Sequence, residues 1–554
     1  MSFRSTPAAR LACLSIPLIT AAHAADALST TDSRLNQALG AHIEFLAHDL
    51  LEGRGTGTPG HEIAARYVAA QFAQWGLRPA GDSNTWFQTV PLMESRVVPD
   101  SATFELRVGD TVEALTIQLD YLPSPRFDAT ESRVTAPLVF AGFGVRAPEL
   151  QYDDFAGLDL RGAIAVILAK APPRFPATAL AHHANQRQKS QALVDHGAVG
   201  VITVPTPKDL EEFPWPRRVM QSKFPSMRWL HADGTPANVF PQLVGAAAVS
   251  PQGAGRIFEG APETLESVLA GAARSEPPRF AMGRQATLEV RSEHRRLTSV
   301  NVLGMIPGAD PALAGESVVF TAHLDHQGVG PEVAGDPIYN GAYDNAIGVA
   351  MMLEIARQLA TVEPRPRRSV VFAAVTGEEK GLLGSEYLAT HWPAGAGSPV
   401  ANLNLDMVLV TAPTRRYTLL GMEHSTLRTP VEAAAARWDL ELVPDPRPER
   451  VTFVRSDQYS FVRQGVPALF PKVADSESDP ATASADGLSP EAFVRDHYHR
   501  PSDDASLPRD AATAVRFVHF ITDLARQVAD APEAPRWNPG DFFGETFARP
   551  REDR

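Results

Sequence analysis

Two kinds of apolar pattern alternate through the second half of the chain. Short continuous apolar runs of strand length, NVLGMI, SVVFTA, SVVFAAV and ANLNLDMV, are separated by segments with helical spacing, AIGVAMMLEIARQLA and GLLGSEYLA. Continuous apolar runs are typical of strands buried on both faces, and their alternation with helices predicts parallel crossover connections. We therefore predict an α/β fold built on a mixed, mostly parallel sheet flanked by helices.

The first hundred residues have a helical pattern instead. Apolar side chains recur at Ile63, Tyr67, Val68 and Phe72, after a turn at Pro59-Gly60. This spacing predicts an amphipathic helix. We expect a helix–loop–helix over about 33–95 that packs on the main sheet.

A third pattern occupies residues 130–255. The runs APLVFAGFGV, GAIAVILAK and GAVGVITV are β-like, with the helical segment NQRQKSQALVDHG between the last two. A small β-rich domain inserted into the main one is the prediction. The proline-rich stretch 205–230 within it is expected to be an irregular loop.

These patterns divide the chain into five parts. A leader at 1–24 is followed by an N-terminal helical segment with the first part of the main domain (25–129), the inserted domain (130–255), the main domain (256–535) and a tail (536–554).

The leader has the features of a signal peptide. Arg4 and Arg10 precede the apolar stretch LACLSIPLITAA, and Ala22-His23-Ala24 fits an A-x-A cleavage pattern. The sequence therefore predicts an exported protein, periplasmic or secreted. The one cysteine, Cys13, would leave with the leader, so the mature chain would contain no disulfide.

Length, composition and charge limit the kinds of protein that this chain could be. The chain has 554 residues, 44% of them hydrophobic and 21% charged, and a formal net charge of −14. Its length suffices for two or three domains with real cores. Without a Lys/Arg-rich run, nucleic acid is not an expected partner, and no membrane span is expected after the leader. An acidic soluble enzyme is the simpler inference.

Metal-ligating residue types follow the apolar runs of the main domain. The segments AHLDH, GAYDNA, TGEEKG, NLDM and YHRPSDD place His or carboxylate side chains at predicted strand ends or in Gly-rich turns. They supply His323, Asp325, Asp344, Glu378, Glu379, Asp406 and His499. This is the ligand inventory of a two-zinc hydrolase.

Zinc chemistry assigns roles to five of these residues. Zinc accepts imidazole nitrogen and carboxylate oxygen, and two ions about 3.5–4 Å apart can share one carboxylate and one water. We predict that Asp344 bridges two Zn²⁺ ions. His323 and Asp406 would complete one site, and Glu379 and His499 the other.

The two remaining acids are assigned from local geometry. Side chains two apart on an extended chain point the same way, so the Asp325 carboxylate is expected to accept the second ring N–H of His323. Glu378 and Glu379 are neighbours whose side chains diverge on extended backbone. We therefore expect Glu379 to bind metal and Glu378 to act as general base.

Each segment alone has an ordinary structural interpretation. An isolated HxD is more often a surface or core pair than a ligand pair, and an EE pair is usually a solvated face. Asp406 could cap a helix, and the DD of PSDD is expected to do so. The fixed order of all five segments after apolar runs or in Gly-rich turns favours a functional site.

With these residues in view, the chain resembles the dizinc aminopeptidase family. The resemblance covers about 295–530 and rests on HLD, IYNGAYDNAIGVA, GEEKGLLGS, NLD and YHRPSD in that order. It implies the zinc exopeptidase fold, and the inserted segment is similar to a protease-associated domain. The family pattern implies the same ligands at 323, 344, 379, 406 and 499, with the base at Glu378.

This chain departs from that pattern at three positions. The family often has Asp and Ser where Tyr343 and Ile347 stand, and His where Gln458 stands in RSDQYSF. These departures bear on substrate preference. His497 competes with His499 as a ligand, but the spacing to Pro501 and Asp503 favours His499.

The leading hypothesis is an exported zinc-dependent aminopeptidase that acts on peptides. One alternative is a glutamate-carboxypeptidase-like enzyme, for which Arg447, Arg450, Arg455 and Arg463 could supply a basic pocket. A single-zinc glutaminyl cyclase and a non-catalytic binding protein, as in the transferrin receptor ectodomain, are the others. Neither the preferred N-terminal residue nor the oligomeric state follows from the sequence.

Overall fold

The structure is a computed structural model that describes residues 28–474 and 488–548. Its helices are α1 (Thr30–Leu46), α2 (Pro59–Gln74), α3 (Ala177–Ala184), α4 (Gln186–Asp195), α5 (Pro207–Glu212), α6 (Trp215–Gln221), α7 (Pro251–Phe258), α8 (Leu265–Ala273), α9 (Ile347–Thr361), α10 (Leu383–Thr390), α11 (Arg428–Arg437), α12 (Gln458–Val462), α13 (Pro490–Asp496), α14 (Ala511–Asp530) and α15 (Phe542–Phe547).

The first twelve strands precede the long strand β13. They are β1 (Arg78–Pro79), β2 (Phe87–Val97), β3 (Thr103–Val108), β4 (Thr111–Ala114), β5 (Tyr121–Pro123), β6 (Glu131–Ala141), β7 (Arg146–Ala147), β8 (Tyr152–Asp153), β9 (Ile164–Leu168), β10 (Gly200–Val204), β11 (Ser226–Trp229) and β12 (Gly245–Val249). Nine more follow: β13 (Arg279–Ile306), β14 (Glu316–His323), β15 (Gly328–Val333), β16 (Asp336–Tyr339), β17 (Ser369–Val375), β18 (Ser398–Asn404), β19 (Arg416–Leu420), β20 (Glu441–Leu442) and β21 (Ala468–Val473).

The main sheet is mixed and parallel at its centre. Its order is β11-β2-β13-β17-β14-β18-β21-β19-β20. The neighbours β17, β14, β18 and β21 run parallel, whereas β13 and β2 are antiparallel to their partners. The predicted fold class, a mixed and mostly parallel sheet flanked by helices, is confirmed.

Helices cover both faces of this sheet, which explains its continuous apolar strands. Helices α1, α2, α9, α11 and α14 share one hydrophobic core on the first face. On the second face, a smaller core includes Leu388 of α10 and Phe461 of α12. Every residue of β17 is buried as a result.

The N-terminal segment forms the expected helix pair. Thr58 caps α2, which begins at Pro59 itself. Its buried face includes Ala64, Val68 and Phe72, while Ile63, predicted to be buried, is 46% exposed.

A second sheet forms a separate lobe, called the second lobe below. Its order is β4-β3-β13-β6-β9-β10-β12-β5, and it uses the first half of the 28-residue strand β13, whose second half lies in the main sheet. The largest core of this lobe draws on residues from Phe104 to Leu288. Its extent therefore exceeds the predicted 130–255, because β3, α7 and α8 pack into the same core.

Two other predictions fall differently in the structure. The stretch 205–230 contains α5, α6 and β11 rather than an irregular loop. The predicted tail contains α15, in which Phe543 is buried. The leader 1–24 lies outside the described residues. Across residues 28–474 and 488–548, no helix combines the length and apolarity needed to cross a bilayer.

Candidate active site

The parallel centre of the main sheet gathers the predicted site residues at one edge. Strand β14 ends at His323, β17 ends two residues before Gly377, and β18 ends two residues before Asp406. Ligands in open α/β sheets collect at the carboxyl ends of parallel strands. The fold thus brings His323, Glu378, Glu379 and Asp406 to one place.

A tight loop carries Asp344 into the same place. Gly341 has φ 62°, and a Cβ there would lie 2.2 Å from the carbonyl oxygen of Asp344, so glycine is needed. The Asp503 carboxylate accepts hydrogen bonds from the backbone N–H groups of Tyr343 (2.9 Å) and Asp344 (3.0 Å). Asp503 was predicted to cap a helix, but its buried carboxylate instead holds the Asp344 loop.

One group of candidate ligands consists of His323, Asp344 and Asp406. One ligand atom of each lies within 4.8 Å of the others. The Nε2 atom of His323 is 3.2 Å from Asp344 Oδ1 and 3.5 Å from Asp406 Oδ1. These are the residues predicted for the first ion.

The second group adjoins the first through Asp344. His499 Nε2 lies 3.3 Å from Asp344 Oδ2 and 3.1 Å from Glu379 Oε2, the residues predicted with it for the second ion. In the second set of ligand atoms that all lie within 4.8 Å of one another, however, His326 stands with Asp344 and Glu379 in place of His499. Sequence reasoning missed His326, whose Nδ1 is 2.6 Å from Glu379 Oε1. The sequence feature that could have identified it is its position, three residues after His323 and beyond the end of β14.

These donor atoms fit a pair of cations. His323 Nε2, Asp344 Oδ2, Glu379 Oε1 and Asp406 Oδ1 are buried, and none has a hydrogen-bond partner among the described residues. Buried polar atoms are normally satisfied, so atoms that converge without hydrogen bonds suit coordination. Nitrogen and carboxylate oxygen donors suit zinc.

Charge in the group also favours cations. Although burial and Glu379 act in the opposite direction, the nearby ring nitrogens of His323 and His499 hold the pKa of Asp344 below its usual value. Burial acts to lower the pKa of His499, but the neighbouring carboxylates of Glu379 and Asp344 outweigh it and raise this pKa to about 9. The carboxylates therefore exert a strong pull on positive charge.

Glu378 lies beside these groups on a short turn. Glu378–Lys380 form one 3-10 turn rather than extended backbone, and Gly377 (φ 66°) supplies the left-handed residue before it. The Glu379 carboxylate faces the two histidines, and Glu378 is half-buried. Burial raises the pKa of Glu378 well above the usual carboxyl range, although His323 acts in the opposite direction.

The contact predicted for the Asp325 carboxylate is wrong. His323 Nδ1 lies 3.0 Å from the main-chain carbonyl oxygen of Asp325, not from its carboxylate. The carboxylate instead accepts hydrogen bonds from Thr56 Oγ1 (2.8 Å) and the Glu378 N–H (3.1 Å). The chain turns after β14, so the two-residue alternation of a strand no longer applies. Asp325 positions Glu378, while its backbone orients His323.

Two further buried residues, which were not predicted, lie near the site. Arg54 donates to the carbonyl oxygens of Leu324 (2.9 Å), next to His323, and Gly341 (2.9 Å), three residues before Asp344. Asp457 is fully buried, and burial raises its pKa to about 7.

The departures from the family pattern surround the site. Tyr343 and Ile347 line a cavity of about 370 Å³ behind the Asp344 loop. Gln458 is buried and accepts from Asn404 Nδ2 at 2.8 Å. His497 lies apart from the candidate ligands, with its Nδ1 2.9 Å from the Ser502 carbonyl oxygen.

Comparison with known proteins points in the same direction. Residues 301–523 match the model of Peptidase family M28. A "Probable zinc metalloprotease" of Pyrenophora tritici-repentis is 41% identical over 85 residues, 15% of this chain and 17% of that protein. "Aminopeptidase NAALADL1" of Mus musculus is 33% identical over 143 residues, 25% of this chain and 17% of that protein. The chain thus spans about a sixth of the length of these curated relatives.

A solved structure shares the fold over nearly the whole chain. An aminopeptidase from Aneurinibacillus sp. strain AM-1 superposes with a TM-score of 0.52 at 21% identity, covering 92% of this chain and 96% of that one. At this identity the likeness establishes the architecture alone.

Proposed function

We propose, on the premise that residues 301–523 belong to peptidase family M28, that this chain is an exported zinc-dependent aminopeptidase that removes N-terminal residues from peptides. The observation that carries the proposal is the pair of ligand groups that share Asp344 beside Glu378.

We assign two zinc ions to these groups. His323, Asp344 and Asp406 would hold one ion, and Asp344, Glu379 and His499 the other. His326 would support the Glu379 carboxylate through its 2.6 Å contact. Two bound zinc ions supply Lewis acidity and an activated water.

Glu378 has the position and proton affinity of a general base. Its backbone N–H is fixed by Asp325, and its carboxylate is free of the donors that engage Glu379. A carboxyl whose pKa is raised holds a proton well enough to take it from water and return it to the leaving amine. Asp325 keeps Glu378 in place through this transfer.

Two of the four basic residues considered for a carboxypeptidase pocket are already paired with carboxylates. Arg463 donates to Glu386 at 3.0 Å, and Arg447 pairs with Glu491. A guanidinium already paired with a carboxylate is less able to bind the terminal carboxylate of a peptide. Two donor groups also favour the dizinc enzyme over a single-zinc cyclase, and the intact ligand set argues against a non-catalytic scaffold.

Export and the identity of the second lobe are part of the proposal. The signal-like leader supports export to the periplasm or beyond. The β-rich second lobe, with parallel strands β6, β9, β10 and β12, supports its assignment as a protease-associated domain.

The proposal is tested with one peptide in three forms. Zinc-loaded and chelator-stripped protein are incubated with the free, N-acetylated and C-amidated peptide, and products are identified by mass. We expect zinc-dependent stepwise loss from the free and amidated N-termini and none from the acetylated form.

Other patterns would replace the assignment. Trimming of the acetylated peptide from its C-terminus would indicate a carboxypeptidase. Cyclisation of an N-terminal glutamine would indicate a cyclase, and no change in any peptide would refute the proposed activity.

A further inference from the structure

Helix α6, in the connection from β10 of the second lobe to β11 of the main sheet, reaches the candidate active site. The side-chain amide nitrogen, Nε2, of Gln221, the last residue of α6, lies 3.1 Å from Nδ1 of His499. Four residues earlier, Arg217 donates to the backbone carbonyl of Tyr498, and its guanidinium lies 5.0 Å from the centre of the Tyr498 ring. The turn that presents His499 is therefore held by α6.

Residues just after α6 extend the same contact. The ring of Phe224 packs edge-on against Tyr339 at 5.3 Å, and the ammonium of Lys380 lies 5.2 Å from the Phe224 ring. Lys380 follows Glu379 directly. The turn that carries His499 and the turn that carries Glu379 thus both contact the segment 217–224.

The position of His499 makes its Nδ1 partner important. The residue has φ 56°, outside a helix or strand, and its ring lies against that of Tyr498, with the ring centres 3.8 Å apart and the planes tilted by 34°. Its Nε2 points toward Asp344 and Glu379. A nitrogen that binds metal must be unprotonated, so the ring hydrogen must then be on Nδ1.

Gln221 can accept that hydrogen. Amide oxygen and nitrogen occupy equivalent positions, so a half-turn of the Gln221 amide places its oxygen against Nδ1 without moving a carbon atom. Partners of this kind fix the tautomer and the orientation of a metal-binding ring. An N–H donor at the same place would instead favour the tautomer that cannot bind.

We propose that Gln221 is a positioning residue that accepts the Nδ1–H of His499, so that α6, in the connection between the second lobe and β11, completes the metal centre at the edge of the main sheet. The proposal rests on the metal centre proposed above. It makes docking of α6 a condition for tight binding of the ion held by Glu379 and His499.

The test measures zinc binding to the full chain. Metal-free protein is titrated with zinc against a chromophoric chelator for wild type, Gln221→Met and Gln221→Glu. Methionine keeps the length of the side chain and loses the acceptor, whereas glutamate keeps an acceptor. The matched control is Gln191→Met, since the amide of exposed Gln191 contacts Asp195 in its own helix.

We expect Gln221→Met to weaken the second ion by about 10–100-fold, the usual effect of losing such a partner. The first ion, held by His323 and Asp406, should keep its affinity. Gln221→Glu should bind the second ion at least as tightly as wild type, and Gln191→Met should match wild type.

Three results would overturn the inference. They are an unchanged second affinity in Gln221→Met, equal losses in Gln221→Met and Gln221→Glu, and a wild-type protein that binds fewer than two ions. Because zinc binding is the readout, a wild type that binds two ions yet cleaves no peptide would refute the proposed activity and leave this test intact.

Discussion

Single acids around the site differ in what their oxygens contact. Asp344 and Glu379 face histidine nitrogens, Asp503 faces two backbone N–H groups, and Asp325 faces a hydroxyl and an N–H. Glu378 is the half-buried acid next to these groups and is not engaged by the histidines that meet Glu379. In the proposed mechanism, these different contacts assign metal binding, support and proton transfer to different acids.

Glu378→Gln should separate catalysis from metal binding. Glutamine has the same shape and cannot take up a proton, so we expect kcat to fall by about 10²–10⁴-fold, the usual contribution of a general base. Zinc content and the thermal midpoint should stay unchanged. Steady-state kinetics and metal analysis of the purified variant check this.

The control for that variant is Glu379→Gln. This change alters a ligand, so zinc content should fall together with activity. If Glu378→Gln retained wild-type turnover, the base would have to be another residue.

Residue identities in the site were largely predictable, and their contacts were less so. Residues His323, Asp344, Glu379, Asp406 and His499 follow apolar runs or lie in Gly-rich turns, and the structure brings all of them together. The contacts of Arg54 and Asp503 span long sequence separations and leave no local pattern. His326 could have been found only from its spacing to His323.

At the level of elements, Arg54 holds three segments of the chain together through hydrogen bonds to their backbone carbonyl groups. Its guanidinium is fully buried, and burial lowers its pKa to about 10, so it stays charged at neutral pH. It donates to carbonyl oxygens at the end of α1, after β14 and before the Asp344 loop, on Leu46, Leu324, Asn340 and Gly341.

Arg54→Met should therefore unfold more easily and bind zinc more weakly. Four carbonyl groups would lose a charged donor inside the protein, and we expect a loss of about 4 kcal/mol in the free energy of unfolding. Urea denaturation measures it. Arg66→Met, at an exposed position on α2 that pairs with Glu62, is the control and should change stability by less than about 0.5 kcal/mol.

Lys189 gives the second lobe a pH-dependent stability. It lies buried in α4, and burial lowers its pKa to about 7 although Asp154 and Asp209 oppose this. Its ordinary pKa is 10.5, so above pH 7 the unfolded chain binds a proton that the folded chain has released. Stability from this residue therefore rises with pH and is lost as pH falls through 7.

Replacing this residue should remove that rise. Between pH 7 and about 9, below the usual pKa of tyrosine, the wild type should gain about 2 kcal/mol relative to Lys189→Met. Thermal or urea unfolding of both proteins across this range gives the difference. Lys208→Met, at an exposed position, should follow the wild type, and parallel curves for wild type and Lys189→Met would contradict the assignment.

The predictions of secondary structure are confirmed where the apolar pattern is continuous. They are wrong where tertiary contacts determine the secondary structure. The runs SVVFTA, SVVFAAV and ANLNLDMV correspond to β14, β17 and β18, because strands buried on both faces need no alternation. The stretch 205–230 has no such pattern, since α6 and β11 are stabilised by contacts with Tyr498 and β2. Ile63 is exposed because the face of α2 that packs against the core is formed by other residues, among them Ala64 and Val68.

On the scale of the whole molecule, a buried carboxylate connects the lobes. Glu386 of α10 accepts hydrogen bonds from Arg187 (3.2 Å) and Asn238 (2.9 Å) of the second-lobe segment, and from Arg463 (3.0 Å). Trp229 of β11 donates to it at 3.1 Å. Two guanidinium groups thus depend on one acid at the contact between lobes.

Glu386→Ala should loosen this contact. Breaking a buried ion pair from one side typically costs 3–5 kcal/mol, and we expect about 3 kcal/mol here. Amide hydrogen exchange in α4 and α6 should accelerate, and the urea midpoint should fall. Glu211→Ala, at an exposed position of α5, should leave both unchanged; an equal effect in the two variants would mean that Glu386 does not join the lobes.

The continuity of β13 has a consequence for how such a protein could be assembled from parts. Strands β2 and β13 run antiparallel, with Val97 opposite Ser292. The chain therefore departs for the second lobe and returns from it at neighbouring points. A two-residue Asn-Gly turn joining these positions would close the pair as a hairpin. The same junction would accept a different lobe, so evolution or design can exchange the second lobe, provided that the replacement keeps α6 and β11, which contact the candidate active site and the main sheet.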